Sequence, residues 1–336
     1  MIERFSRRAF LSSFVVLAAG SATVLRSQSA YPQQPASPRR IGVLFGIGGS
    51  RESRIGQQFR QGLLDAGYTE GRDVIIEWRS ANGDYERIPE LAADLVQRKP
   101  EVIVVTTTVA AEAVKRMTST IPIVMALVAD PVGSGLVTNL AHPAGNITGL
   151  SVMMAELSAK RLQLFKEAIP LLTRVAVLWN PATPYHPKAI EGLKAVAASL
   201  GIELSLMGIR TPEDFGPAFS AVIRAQAQAL YVLDAPLFFT HRTRLLELAS
   251  KAQLPGNYAY RQYVDEGGLM SYGTNLGDLM RRSAGYVDKI LKGARPGDLP
   301  IEQPTKFEFV LNLRTAKALR LTISQSVLLQ ADDVIR

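Results

Sequence analysis

The feature that most constrains this chain is a regular alternation between short, continuous apolar runs and amphipathic stretches. Ile41–Phe45, Val74–Ile76, Val102–Val105 and Ile123–Leu127 contain almost no polar residue, which is the pattern of strands buried on both faces of a parallel sheet. Between them, Phe59, Leu63 and Leu64, then Ile88, Leu91 and Leu95, then Ala110, Ala113, Val114 and Met117 recur at helical intervals. A second series follows, with strands expected at Val175–Trp179, Leu204–Leu206, Ala229–Leu233 and Leu269–Tyr272. Its helices are expected near Leu162–Ala168, Ala189–Leu200, Phe215–Ala225 and Leu245–Ala252. Repeated βαβ units of this kind build α/β architecture, and two series make two doubly wound, Rossmann-like lobes. A chain of 336 residues with 47% hydrophobic content is long enough for two cores. Beyond Tyr272 come an expected helix at Leu279–Leu291, a strand at Phe307–Leu311 and a short helix at Leu313–Leu319. Because the second lobe is already complete by then, this tail is expected to recross between lobes.

Arg4, Arg7 and Arg8 precede the run Phe14–Gly20, which is too short and too rich in small residues to span a bilayer. Residues 1–30 therefore read as a cleaved export signal, and Ser6–Leu11 resembles the twin-arginine type. A polar linker is expected over 31–39, and a periplasmic destination follows. The chain has no cysteine, which excludes disulfides and thiolate metal sites. Of the net charge of +8, four arginines and one glutamate fall within residues 1–30, leaving 34 basic against 29 acidic residues without basic clusters. That surplus gives no case for nucleic acid.

In open α/β sheets ligands bind beyond the carboxyl ends of the strands. Those positions here are small and polar: Gly46–Ser50, Thr106–Thr108, Ala129–Gly135, Asn180–Pro181 and Asp234–Pro236. Three threonines ahead of a helix can hold a carboxylate together with free backbone N–H groups, or one of them can simply cap the helix. Asp130 can pair with a ligand ammonium or close the turn Asp130–Gly133, and Asp234 carries the same ambiguity. Tyr258, Tyr260 and Tyr272 can enclose a ligand side chain or serve packing. His142, His186 and His241 show no metal-ligand spacing, and neither a Gly-x-Ser-x-Gly elbow nor a phosphate loop is present. No metal, no cofactor and no catalytic machinery are expected. The competing reading is an exported NAD(P)-dependent oxidoreductase, from Gly46-x-Gly48 and Glu77. However, Arg51 stands where the fingerprint needs its third glycine, and Glu77 lies too far along for the ribose contact.

Several motifs in fixed order carry a family resemblance: Gly62–Gly71 (GLLDAGYTEG), Ala129–Leu136 (ADPVGSGL), Gly145–Gly149 (GNITG), Leu178–Pro181 (LWNP) and Gly268–Gly273 (GLMSYG). Together they resemble the ABC-transporter substrate-binding proteins of the tryptophan/phenylalanine-binding type, over Arg40 to the C-terminus. The resemblance implies a type I periplasmic-binding-protein fold. In that fold lobe 1 would be 40–150 plus 273–299, lobe 2 would be 151–272 plus 300–336, and a multi-strand hinge would lie near Gly149–Ser151, Gly273 and Pro300. It further implies a monomeric receptor that holds a small-molecule solute, expected to be an amino acid as in members of known ligand, where it is aromatic, and delivers it to an ABC permease in the inner membrane. The ligand-binding residues it implies are Gly49, Ser50, Thr107, Thr108 and Asp130 from lobe 1, with Asn180, Asp234 and Tyr258 from lobe 2.

Overall fold

The computed structural model describes residues 37–336, leaving aside the side chains of Ala155 and Glu156; the expected export signal and most of the linker lie outside these residues. The chain begins with strand β1 (Arg39–Phe45), helix α1 (Arg54–Asp65), β2 (Val74–Ser80), α2 (Ile88–Gln97), β3 (Val102–Val105), α3 (Thr108–Met117), β4 (Ile123–Val128) and β5 (Ile147–Ser151). These strands form an all-parallel sheet in the order β2-β1-β3-β4-β5. Every residue of β3 and β4 is buried, which is why both segments read as unbroken apolar runs. On α1, Ile55, Phe59 and Leu63 face inward at four-residue spacing, and Ser53 caps the helix by accepting from the Gly56 N–H.

The second part comprises α4 (Met154–Ala168), β6 (Arg174–Trp179), α5 (His186–Ser199), β7 (Glu203–Gly208), α6 (Phe215–Arg224), β8 (Ala229–Val232), α7 (Pro236–Thr240), α8 (Arg242–Lys251), β9 (Gly256–Tyr258), α9 (Arg261–Asp265) and β10 (Met270–Thr274). After α10 (Leu276–Leu291) come β11 (Phe307–Asn312), α11 (Leu313–Ala318), α12 (Gln325–Gln330) and β12 (Asp333–Ile335). The second sheet runs β12-β11-β10-β9-β8-β6-β7. It departs from a wholly parallel sheet at β11, which is antiparallel to β10. Phe307, the first residue of β11, pairs with Thr274, the last of β10. The chain thus re-enters this sheet at the end where the parallel strands finish, and it can only run backwards.

Three segments cross between the sheets. Residues 149–152 lie beside Glu302: the Ser151 N–H donates to the Glu302 carbonyl, the Glu302 N–H donates to the Gly149 carbonyl, both at 3.0 Å, and Leu150 and Glu302 form a parallel bridge. The third crossing follows Thr274, whose hydroxyl donates to the Val152 carbonyl at 3.3 Å. Past it, α10 packs against α1, β4 and β5 of the first sheet.

Candidate functional site

A small cavity, about 50 Å³, lies where the carboxyl ends of the two sheets face each other. The loops after successive strands supply its walls: Ile47 after β1, Tyr85 after β2, Thr106–Val109 after β3, and Ala129 after β4. The second sheet contributes Thr183–Tyr185 after β6, Asp234 and Pro236 after β8, and Tyr260 after β9. Leu127, Val152, Met154 and Leu276 complete the lining. At 10–15 Å³ per water centre, this space holds a few waters.

Each threonine has its own task. The Thr106 hydroxyl accepts from the Gly46 N–H at 3.1 Å and tethers the β1 loop to β3. Thr108 donates to the Ala129 carbonyl at 3.0 Å, which ties α3 to the loop after β4. Thr107 is the N-cap of α3, accepting from the Ala110 N–H at 3.3 Å. A hydroxyl that accepts there still has its proton to give. The N–H groups of Thr108 and Val109, in the first helical turn, have no intrahelical acceptor. The first sheet therefore presents one hydroxyl and a helix N-terminus to the cavity, a combination that favours an anion.

Asp234 faces them from the second sheet. It is buried, and its Oδ1 accepts from the Tyr263 hydroxyl at 3.1 Å. Desolvation pushes its carboxyl up to about 7, although the Tyr263 hydrogen bond and the positive charge of Arg161 pull the other way. Arg161, itself buried, donates to the Val232 carbonyl at 2.7 Å and lies 4.5 Å over the Tyr231 ring. The Asp234 loop is pinned from below. His186 Nδ1 accepts from the Asn180 N–H at 3.0 Å, so the geometry assigns the proton to Nε2, which donates to the Asp234 carbonyl at 2.9 Å. The Tyr185 hydroxyl donates to the same carbonyl. Burial lowers the His186 pKa to about 4, so the ring is a neutral brace.

The sequence profile of the ABC transporter substrate binding proteins matches residues 40–335. The chain belongs to that family. A tyrosine-binding protein of Clostridioides difficile is 27% identical over 261 residues, spanning 78% of this chain and 75% of its own length. A conserved domain protein from Vibrio cholerae superposes with a TM-score of 0.82 at 28% identity, covering 88% of this chain and 99% of that one. An ABC domain from Streptococcus pneumonia, solved in complex with L-Trp, gives a TM-score of 0.82 at 25% identity and covers 89% and 100%. The two lobes thus form the type I fold that the motifs led one to expect. A substrate-binding protein of this family implies a small-molecule ligand and an ABC transporter as partner, and such proteins are typically extracytoplasmic. No helix among the described residues is long and apolar enough to cross a membrane.

Of the residues expected to bind ligand, Thr107, Thr108 and Asp234 line the cavity, whereas Gly49, Ser50, Asp130, Asn180 and Tyr258 do not. Gly49 packs under the Phe45 ring, where an added Cβ would approach within 2.7 Å. Ser50 is exposed and closes the turn into α1, accepting from the N–H groups of Glu52 and Ser53. Asn180 is buried below the site, where its side chain accepts from the Ala182 N–H at 2.8 Å. Tyr258 is buried and stacked on Tyr263 with ring centroids 4.7 Å apart, beside a different cavity near Gly268 and Leu319. Tyr272 packs on Phe307 and Phe309. Asp130 Oδ1 accepts from the Gly133 N–H at 2.9 Å and Oδ2 from Lys188 Nζ at 2.8 Å. Burial would raise its pKa, but these two bonds and the lysine charge hold it below the usual carboxylate range.

Sequence reasoning passed over Tyr85, Thr183, Tyr185, Met154 and the brace His186. Tyr85 was findable, since it follows a strand as the other site residues do. The apolar run Val74–Ile76 suggested too early an end, and β2 continues to Ser80. Gly46, the start of the dinucleotide-like pair, has a packing reason to be glycine: a Cβ there would lie 2.2 Å from the Thr107 hydroxyl oxygen.

Proposed function

We propose that this protein is the receptor of an ABC importer and that it captures an amino acid between its lobes. The observation that carries the reading is the pairing of opposites across one cavity. Asp234, on lobe 2, suits an ammonium, while the Thr107 hydroxyl and the N-terminus of α3, on lobe 1, suit a carboxylate. A zwitterion spanning both is satisfied only when the lobes are together. Ligand therefore favours the closed form, as any receptor that signals occupancy by closure requires. The remaining walls come from Ile47, Val109, Leu127, Met154, Pro236 and Leu276, with Tyr85, Tyr185 and Tyr260. They supply no further full charge, so the side chain taken is apolar or aromatic. The tyrosine-binding and L-Trp-bound relatives support that class.

On this reading the lobes are 40–150 with 273–299 and 151–272 with 300–336, the hinge is formed by the three crossings, and the ligand contacts are Thr107, Thr108, Asp234 and Tyr260. The protein works as a monomer in the periplasm, exported on a signal cleaved from residues 1–30, and performs no catalysis. Isothermal titration with L-tyrosine, L-tryptophan and L-phenylalanine, beside tryptamine and indole-3-propionate, tests it. Binding of an amino acid, with loss of affinity for both truncated analogues, is the expected result. Equal affinity for indole-3-propionate would remove the ammonium from the argument, and binding of none of the five would remove the ligand class.

A further inference from the structure

Asp130 was expected to hold ligand, yet it sits at the rim of the cleft with its carboxylate committed to the opposite lobe. Its Oδ2 accepts from Lys188 on α5 at 2.8 Å, a contact between residues 58 apart in sequence. Two uncharged bonds also bridge the lobes: Tyr85 to Thr183 between hydroxyls at 3.0 Å, and the Gly48 N–H to the Thr240 hydroxyl at 3.2 Å.

We propose that Asp130 is a positioning residue for closure, which holds the shut form through Lys188 and does not touch the ligand; the effect on ligand release rests on the amino-acid reading above.

The loop is built for that orientation. Asp130 has φ +38°, a left-handed conformation that among non-glycine residues Asp and Asn adopt most readily. The Gly133 N–H fixes Oδ1, which leaves Oδ2 directed at the lysine. Gly133 has no room for a side chain, because a Cβ would fall 2.2 Å from Asp130 Oδ2. The carboxylate is only 15% exposed, whereas the Lys188 side chain is 58% exposed. A pre-set acceptor thus meets a long, solvated donor that can let go when the lobes part. Such a half-exposed pair is weak enough to be reversible and is screened by salt. Ammonium recognition falls to Asp234, which lines the cavity, and not to Asp130, which does not.

The chain has no cysteine, so spin labels can be placed uniquely at Glu90→Cys on α2 and Glu191→Cys on α5, both exposed positions on opposite lobes. Pulsed dipolar spectroscopy on the ligand-free protein then reads the closed-to-open ratio. At low salt a closed population is expected, and high salt should reduce it. Asp130→Asn, which retains the backbone preference, and Lys188→Met should each lower the ratio about two- to five-fold, abolish its salt dependence, and give no further loss when combined. With L-tyrosine or L-tryptophan added, both variants should release ligand faster by the same factor, while the preference for the amino acid over its deaminated analogue is retained. Absence of a closed population in the wild type, an unchanged ratio in the single variants, additive losses in the double variant, or a loss of ammonium preference in Asp130→Asn would each overturn the proposal. Failure of every amino acid to bind would count against the ligand class alone, because the ligand-free distances report the latch independently.

Discussion

Asp234 holds its carboxylate where charge is expensive. Desolvation dominates there, and the compensation comes from the Tyr263 and Tyr260 hydroxyls and the nearby charge of Arg161. Two consequences follow at the residue scale. First, the ligand-free protein should be more stable with Asp234→Asn at pH 8, by on the order of 1–3 kcal/mol, because the isosteric amide removes an under-compensated charge. The same variant should bind an amino acid at least ~100-fold more weakly through loss of a buried ammonium partner. Thermal melting and titration calorimetry on one sample measure both, and a destabilised variant would mean that the carboxylate is better compensated than its surroundings indicate. Second, the direction of the pH dependence is fixed. An ammonium ligand needs the ionised carboxylate, and with a pKa of about 7 in the free protein affinity should be constant above roughly pH 8. It should then fall by up to about tenfold per unit as pH drops below 7. In Asp234→Asn that slope should vanish. His186 does not compete with this signature, since burial keeps its ring neutral down to about pH 4.

At the scale of elements, α3 would, on the proposed reading, join folding to binding through one side chain, Thr107. Thr107→Val removes the cap and should cost about 1 kcal/mol of stability, and it also removes the hydroxyl offered to the carboxylate. Thr107→Ser should restore both. If valine melts lower yet binds normally, Thr107 is a cap and nothing more. What could be read from the sequence depended on burial. β3 and β4 are enclosed on both faces, so their apolar runs marked strand and boundary alike. β2 is an edge strand, and Glu77, at its midpoint, pairs with Arg40, Arg79 and Arg98. Its continuation therefore looked like a loop, and Tyr85 went unnoticed behind it. β9 is three residues long and begins at Gly256, directly after Pro255, a turn signature by composition. The two aspartates show a different limit. Asp130 and Asp234 follow buried strands in the same way and precede Pro131 and, one residue later, Pro236. Asp234 lines the cavity, whereas Asp130 is met by Lys188 from α5, a tertiary difference that no local pattern encodes.

For the whole molecule, the decisive quantity is the difference between open and closed forms. On the proposed reading, a cavity of about 50 Å³ is too small for an aromatic amino acid, so capture would proceed through an open state and end in a closed one adjusted to the ligand. The three crossings are the only covalent links between the lobes among the described residues. They are tied to one another by the backbone bonds of Ser151 to Glu302 and Glu302 to Gly149 and by the Thr274 hydroxyl on the Val152 carbonyl, and on the proposed reading they would bend as one unit. Two observables should then move together when L-tyrosine or L-tryptophan is titrated in. The radius of gyration from small-angle scattering should decrease. The melting temperature should also rise, since a ligand at 100 times its Kd adds about 2.7 kcal/mol to the folded state, roughly 4 °C for a chain of this size. Both changes should share one midpoint. A thermal shift without compaction would place binding in a pre-closed cleft and leave the receptor with nothing to signal. Compaction in Asp234→Asn as large as in the wild type would show that the ammonium contact does not drive closure.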